Sequence, residues 1–196
     1  LAHTRPWGRA AIHISERARN QHLDSETALW QHVFGPVLGA FEALKEAHIP
    51  TITLNDRQLA LGVPEEIRVL VLPNPKALNA IRRNAVERAR NRGVRVIRLD
   101  PDGWLQPERK SQRKKTLLES VGVADAPVRI DGPPRMHAVV FTHPEKKRVV
   151  VTLMNSWGWY RTERHPKKTD PHYIDNAQEP APLRNVTIEL DTEWFP

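Results

Sequence analysis

The sequence predicts an α/β protein in which a parallel sheet flanked by helices is followed by a smaller antiparallel β unit. Three observations predict it. Residues 67–74, IRVLVLPN, are apolar almost without interruption until Pro73, the pattern of a strand covered on both faces. Strand-like runs on either side of it alternate with segments of helical periodicity, in the order β-α-β-β-α-β. From Val128 onward the apolar residues alternate with period two, as in an antiparallel sheet. We divide the chain into an α/β domain over 1–125 and a β-rich domain or fragment over 126–196.

Taken in order, residues 10–15, AAIHIS, make the first strand, with His13 between two isoleucines. Asp24 or Ser25 offers an N-cap for a helix over 25–48. Its face is built from Leu29, Trp30, Val33, Phe34, Val37, Leu38, Phe41 and Leu44, spaced by helical steps. Gly35-Pro36 interrupts it, and the proline removes a donor and predicts a kink. Residues 49–55, IPTITLN, are the second strand, and 56–61 make a short helical turn. The third strand is 67–72. A second long helix over 76–92 turns Ala77, Leu78, Ile81, Ala85, Val86 and Ala89 inward, and Arg82, Arg83, Arg88, Arg90 and Arg92 outward. Gly93 caps it. The fourth strand, 94–99, ends in Asp100-Pro101-Asp102-Gly103, a turn signal. This order predicts a doubly wound, flavodoxin-like sheet with right-handed crossovers. Four strands make a small sheet, or one completed by parts outside the chain.

Beyond Gly103, residues 108–115, ERKSQRKK, read as an exposed linker or the start of a helix, and 116–123 as a short helix. Residues 135–143 and 148–154 form a β-hairpin around a four-residue loop. A polar, proline-containing loop over 156–182 precedes a last strand at 186–190.

The chain has 196 residues, 39% of them hydrophobic, enough for a core. It contains no cysteine, which excludes disulfides, thiolate metal sites and a thiol nucleophile within these residues. No apolar run reaches the ~18 residues that cross a bilayer. The first residues, LAHTRPWGRA, have no apolar signal-peptide core, and the sequence reads as a piece of a longer polypeptide. The net charge of +7 raises the prospect of a polyanionic partner, although composition alone supplies no reading element.

Chemistry has few footholds. There is neither a dinucleotide nor a P-loop glycine motif, and no GxSxG nucleophile elbow. Glu16, Asp56, Asp100 and Asp102 lie near strand ends, where a carboxylate pair could serve glycoside hydrolysis, but acidic residues there also cap helices and shape turns. His165, Asp170 and His172 have the spacing of a zinc set in a segment with no regular scaffold, so neither a metal nor any other cofactor is expected. In an open α/β sheet the ligand edge lies at the carboxyl ends of the strands. That rule selects Ser15, Glu16, Asn55, Asn74 and Asp100 as candidate ligand contacts. Trp157, Trp159 and Tyr160 are candidates for stacking on a sugar, or for covering a core edge.

Several stretches resemble one family. AAIHISERARN, GPVLGAFEALKEAHIPTITLND, IRVLVLPNPKAL and RNRGVRVIRLD are similar to the class I glutamine amidotransferase-like middle domain, or trimerisation domain, of family 42 β-galactosidases and related glycoside hydrolases. The matching features are the serine-led loop at Ser15-Glu16-Arg17, the segment Gly39–Leu44, and the strand ending Leu72-Pro73-Asn74. The likeness covers about residues 10–103, and residues 136–190 are similar to the C-terminal β-domains of such enzymes. A single Gly93 stands where the family usually has a glycine pair. The resemblance implies that catalysis belongs to a barrel upstream of this chain, that no family catalytic carboxylate falls here, and that the domain serves homo-oligomer assembly and borders a carbohydrate site. Without cysteine the chain is not itself a glutamine amidotransferase. The expected function is therefore that of a non-catalytic accessory region of a glycoside hydrolase-like enzyme. The alternative is a nucleic-acid or polyanion-binding module using the arginine-rich helix and the basic run at 108–115.

Overall fold

A computed structural model describes residues 3–122, 128–132, 136–155 and 185–191. Its centre is a four-stranded parallel sheet in the order β3-β2-β4-β5, made of β2 (Ala10–Ile14), β3 (Thr51–Asn55), β4 (Val69–Leu72) and β5 (Arg95–Arg98). The chain steps outward from β2 to β3, crosses back over β2 to β4, and continues to β5. This is the doubly wound, flavodoxin-like arrangement that the sequence predicts. All four residues of β4 are buried, because it is a central strand with helices on both faces.

The alternation along the strands sorts the core into two layers. Ala10, Ile12, Val69 and Val71 face α3 (Gly35–Glu46) and α6 (Pro107–Val121), meeting Ala40, Ala43, Leu44, Leu117 and Trp104. Ala11, Leu70 and Leu72 face the other way, onto Leu59 of α4 (Asp56–Leu61) and Val86 and Ala89 of α5 (Ala80–Asn91). Gly39 sits directly beneath Trp104. A Cβ on Gly39 would lie 2.2 Å from the indole Cε3, so glycine is what admits the ring.

The long first helix is a composite. α2 (Glu26–Leu29) runs into a π-helical turn, Trp30–Phe34, and then into α3. The widened turn stands immediately before Gly35-Pro36, so the predicted kink takes the form of a π segment. Within the predicted apolar face, Trp30 and Leu38 are exposed, as is Ile81 of the second helix. The second helix starts later than predicted. A 3₁₀ turn, Pro75–Ala77, intervenes, and Asn79 caps α5 by accepting from the Arg82 N–H at 3.0 Å. Gly93, at φ 87°, ends it as predicted.

Of the two readings of the basic run, linker or start of a helix, the structure shows the second, and the helix continues without a break through the short helix predicted after it. Residues 107–121 are one helix, α6. Lys114 bonds Glu42 at 3.0 Å and Glu46 at 2.9 Å, and Lys110 also pairs with Glu42. These partners lie on α3, far away in sequence.

The antiparallel part contains two small sheets. The predicted hairpin is β7 (Met136–His143) with β8 (Arg148–Asn155), joined through a 3₁₀ turn at Pro144–Lys146. β6 (Val128–Asp131) pairs with β9 (Thr187–Leu190). The first strand of the chain, β1 (Arg5–Trp7), joins β7 rather than the parallel sheet, and Trp7 is buried with Val128, Ile130, Met136 and Val140. The β unit therefore draws a strand from within the stretch 1–125 as well as from 126–196. Among the described residues no helix is long and apolar enough to cross a membrane.

Candidate functional site

The carboxyl ends of β4 and β5 open into a cleft of about 540 Å³. One wall is the turn after β4, Pro73 to Ala77. The second is the end of β5 and its continuation, Arg98 to Pro101. The third comes from α1 (Glu16–Asn20) and the residues after it, through Ala18, Gln21 and His22, together with His32 from the π turn. This is the ligand edge of an open α/β sheet.

Asn74 fixes one side of the cleft. Its Nδ2 donates to the His32 carbonyl at 2.6 Å, which ties the end of β4 to the π turn. Its Oδ1 is buried with no partner among the described residues. The His32 and His22 rings lie beside each other, with centroids 5.3 Å apart. Asp100 carries the one carboxylate of the wall. Its pKa is held below the ordinary value by the Asp102 backbone N–H, at 3.2 Å, and by Arg113, at 2.8 Å. The Asp100 carbonyl accepts the Trp104 indole N–H at 2.9 Å, so the floor of this wall is anchored in the core.

The other sequence candidates lie elsewhere. Ser15 is buried and accepts from the Ala18 N–H at 3.1 Å as the N-cap of α1. Asn55 forms a reciprocal capping box with Gln58 at the start of α4. Glu16 is exposed in the first turn of α1, at the favourable end of its dipole. None of these three lines the cleft. Trp157, Trp159 and Tyr160, and the His165-Asp170-His172 set, lie outside the described residues. Among the described residues no group of three or more His, Asp or Glu side chains is placed to hold a metal.

A second polar cluster sits under the same sheet edge. His13 Nε2–H donates to Asp56 Oδ1 at 2.9 Å, both side chains being buried. Arg82 Nε lies 3.2 Å from that oxygen and 3.1 Å from the Asp56 carbonyl, and the Arg17 N–H reaches Oδ2 at 3.2 Å. One carboxylate thus joins β2, α1, α4 and α5. Burial pushes the His13 imidazole below its ordinary pKa and outweighs the pull of Asp56. The bond to Asp56 then requires the Nε2–H tautomer, which leaves Nδ1 as a buried acceptor with no partner among the described residues. None of the three side chains lines the cleft, so the cluster acts on the sheet edge from beneath.

The signal for His13 was its place between isoleucines in the first strand. Its partners could not be read, because Asp56 and Arg82 reach it only through the fold. His22 and His32 went unmarked because one lies in the turn after α1 and the other within the first long helix, away from any strand end. The arginines of α5 are largely committed to structure. Arg82 serves the buried cluster, Arg92 donates to the Val63 carbonyl at 2.7 Å, and Arg83 to Leu78 at 3.4 Å. Compared with known proteins, the chain matches no family model, no curated protein and no solved structure.

Proposed function

We propose that the chain is a non-catalytic accessory region of a carbohydrate-active enzyme. In this reading it combines an amidotransferase-like α/β domain, of the kind found in the middle of family 42 β-galactosidases, with part of a C-terminal β-domain, and its cleft borders a saccharide site. The catalytic barrel is a separate part of the enzyme, and the domain also serves assembly into a homo-oligomer.

One observation carries the reading. Prolines, alanines and a leucine make up six of the thirteen residues that line the cleft, none of the thirteen is a serine, threonine, tyrosine or cysteine, and the other seven carry amide, imidazole, ammonium, guanidinium and carboxylate groups. Hydroxyl-rich ligands are gripped by such groups, whereas acyl transfer needs a nucleophile. Glycoside hydrolysis needs a pair of carboxyl groups about 5–9 Å apart, and Asp100 is the one carboxylate among the lining residues, while Asp102 lies beside it, 3.7 Å from His32 Nδ1. The cleft is built to hold and orient a ligand. A polyanion-binding role has less support, because α6 spends Lys110, Arg113 and Lys114 on acidic partners within the chain.

The reading is tested with the full chain, galactose, galactobiose and a panel of aryl glycosides. Saccharide binding without release of aryl alcohol is the expected result. Hydrolysis that disappears in Glu16→Gln or Asp100→Asn would show that the chain is itself catalytic.

A further inference from the structure

Two groups compete for one oxygen in the buried cluster. His13 Nε2 and Arg82 Nε both stand on Asp56 Oδ1, at 2.9 and 3.2 Å. While the imidazole is neutral the charges balance, one guanidinium against one carboxylate. Asp56 from α4 and Arg82 from α5 are the charged groups that act on the ring. From α1 comes the Arg17 N–H, which reaches Asp56 Oδ2, and β3 sets Leu54 beside His13. An imidazolium would therefore be a second cation on a single carboxylate.

The two holds on Oδ1 are unequal. Arg82 Nε carries one hydrogen, and it is divided between Oδ1 and the Asp56 carbonyl, 3.1 Å away. The Arg82 side chain is 18% exposed, whereas that of His13 is fully enclosed. His13 Nδ1 has no partner among the described residues, and once protonated it becomes a buried donor without an acceptor. Of the three side chains, Arg82 has water most readily at hand. It is the group that can exchange the carboxylate for solvent and leave room for water beside the ring.

We propose that proton uptake by His13 expels Arg82 from Asp56, so that imidazolium and carboxylate pair beneath the sheet edge and the first turn of α5 comes loose. The proton comes from solvent and bonds Nδ1. The turn Pro75–Ala77, a wall of the cleft, runs into α5 through Leu78 and Asn79, so the exchange acts on that wall whatever ligand the cleft holds. Burial holds the imidazole below its ordinary value of about 6.5, which puts the exchange on the acid side of that value.

The test is a magnetic-resonance titration of the full chain from about pH 8 to about pH 5, following the His13 ring protons and the Arg82 Nε–H. The Nε–H signal is expected to vanish, and the amides of residues 80–83 to shift, at the midpoint of His13, while far-ultraviolet circular dichroism stays constant. Arg82→Gln removes the competing cation and should raise the proton affinity of His13 at least about threefold. Arg82→Lys keeps the charge and should leave that affinity near the native value. An Nε–H signal that persists through the His13 titration, or a midpoint indifferent to Arg82→Gln, would overturn the exchange. Circular dichroism lost in the same step would overturn it too, by making the titration one of global unfolding.

Discussion

Asn74 donates its side-chain amide to the carbonyl of His32, and that carbonyl is the one left without an α-helical donor by Pro36. In an α-helix the donor to residue 32 would be the N–H of residue 36, which proline lacks. The side chain at the end of β4 supplies the missing donor at 2.6 Å. The proline that kinks the helix and the asparagine that ends the strand are therefore two parts of one device. It fixes His32, and with it one wall of the cleft.

Asn74→Ala should cost about 1 kcal/mol through the lost hydrogen bond. Asn74→Asp should cost more, because a carboxylate cannot donate and would face a carbonyl oxygen across a short gap. Urea denaturation of the two variants checks the order, and an aspartate variant as stable as the native chain would contradict the assignment.

The Asp56 carboxylate leaves one buried partner, His13, and one partly buried partner, Arg82, behind when it is removed. Asp56→Ala should destabilise the fold by about 3 kcal/mol, the lower part of the range for breaking a buried pair, since Arg82 keeps some access to water. Asp56→Asn, which retains an acceptor for His13 and Arg82, should cost less. Equilibrium unfolding of both variants gives the comparison.

The pH dependence of stability follows from two groups. His13 has its pKa lowered in the folded chain, so the unfolded chain binds the proton more readily. Its contribution is complete above the ordinary value of about 6.5 and is lost as the pH falls from there toward the folded value. For Glu42, burial raises the pKa, but the hydrogen bonds from Lys110 and Lys114 outweigh it and leave the value lowered. Its contribution is present above the ordinary carboxylate value and is lost at lower pH, in a second window. Stability measured against pH should fall in both windows. His13→Gln should flatten the upper one and Glu42→Gln the lower one. An unchanged upper slope in His13→Gln would assign the titration to another group.

Gly39→Ala should destabilise, although alanine is the better helix former. The added methyl would collide with the Trp104 ring, which is buried against the core and cannot swing away cheaply. A loss of about 1–3 kcal/mol is expected, as for other overpacked cores. A gain in thermal midpoint would mean that Trp104 is more loosely held than its burial indicates.

The sheet was legible because burial writes itself into the pattern: β4 is apolar on both faces and β2 nearly so. The helix kink was legible from Pro36, but the π turn that relieves it was not, since its geometry depends on the neighbouring sheet. The sequence reading left 108–115 open between linker and helix start because a run of charges has no apolar face, whereas the acids that hold α6 come from α3. β1 escaped notice as three residues containing a proline, and its partner β7 lies far away in the sequence. At the cleft, Asn74 and Asp100 followed from the rule that ligands collect at the carboxyl ends of strands. The same rule selected Ser15 and Asn55, whose side chains are spent on helix caps. A short polar residue after a strand suits either role, and the hydrogen bonds decide which.

The most direct test of the account is a two-dimensional amide spectrum of the full chain recorded while a saccharide is added. We expect shifts confined to Ala18, Gln21 and His22, to His32, to Asn74, Lys76 and Ala77, and to residues 98–100, with the saccharide recovered intact. Shifts centred elsewhere on the sheet, or the appearance of cleaved sugar in the tube, would contradict a cleft that binds without catalysing.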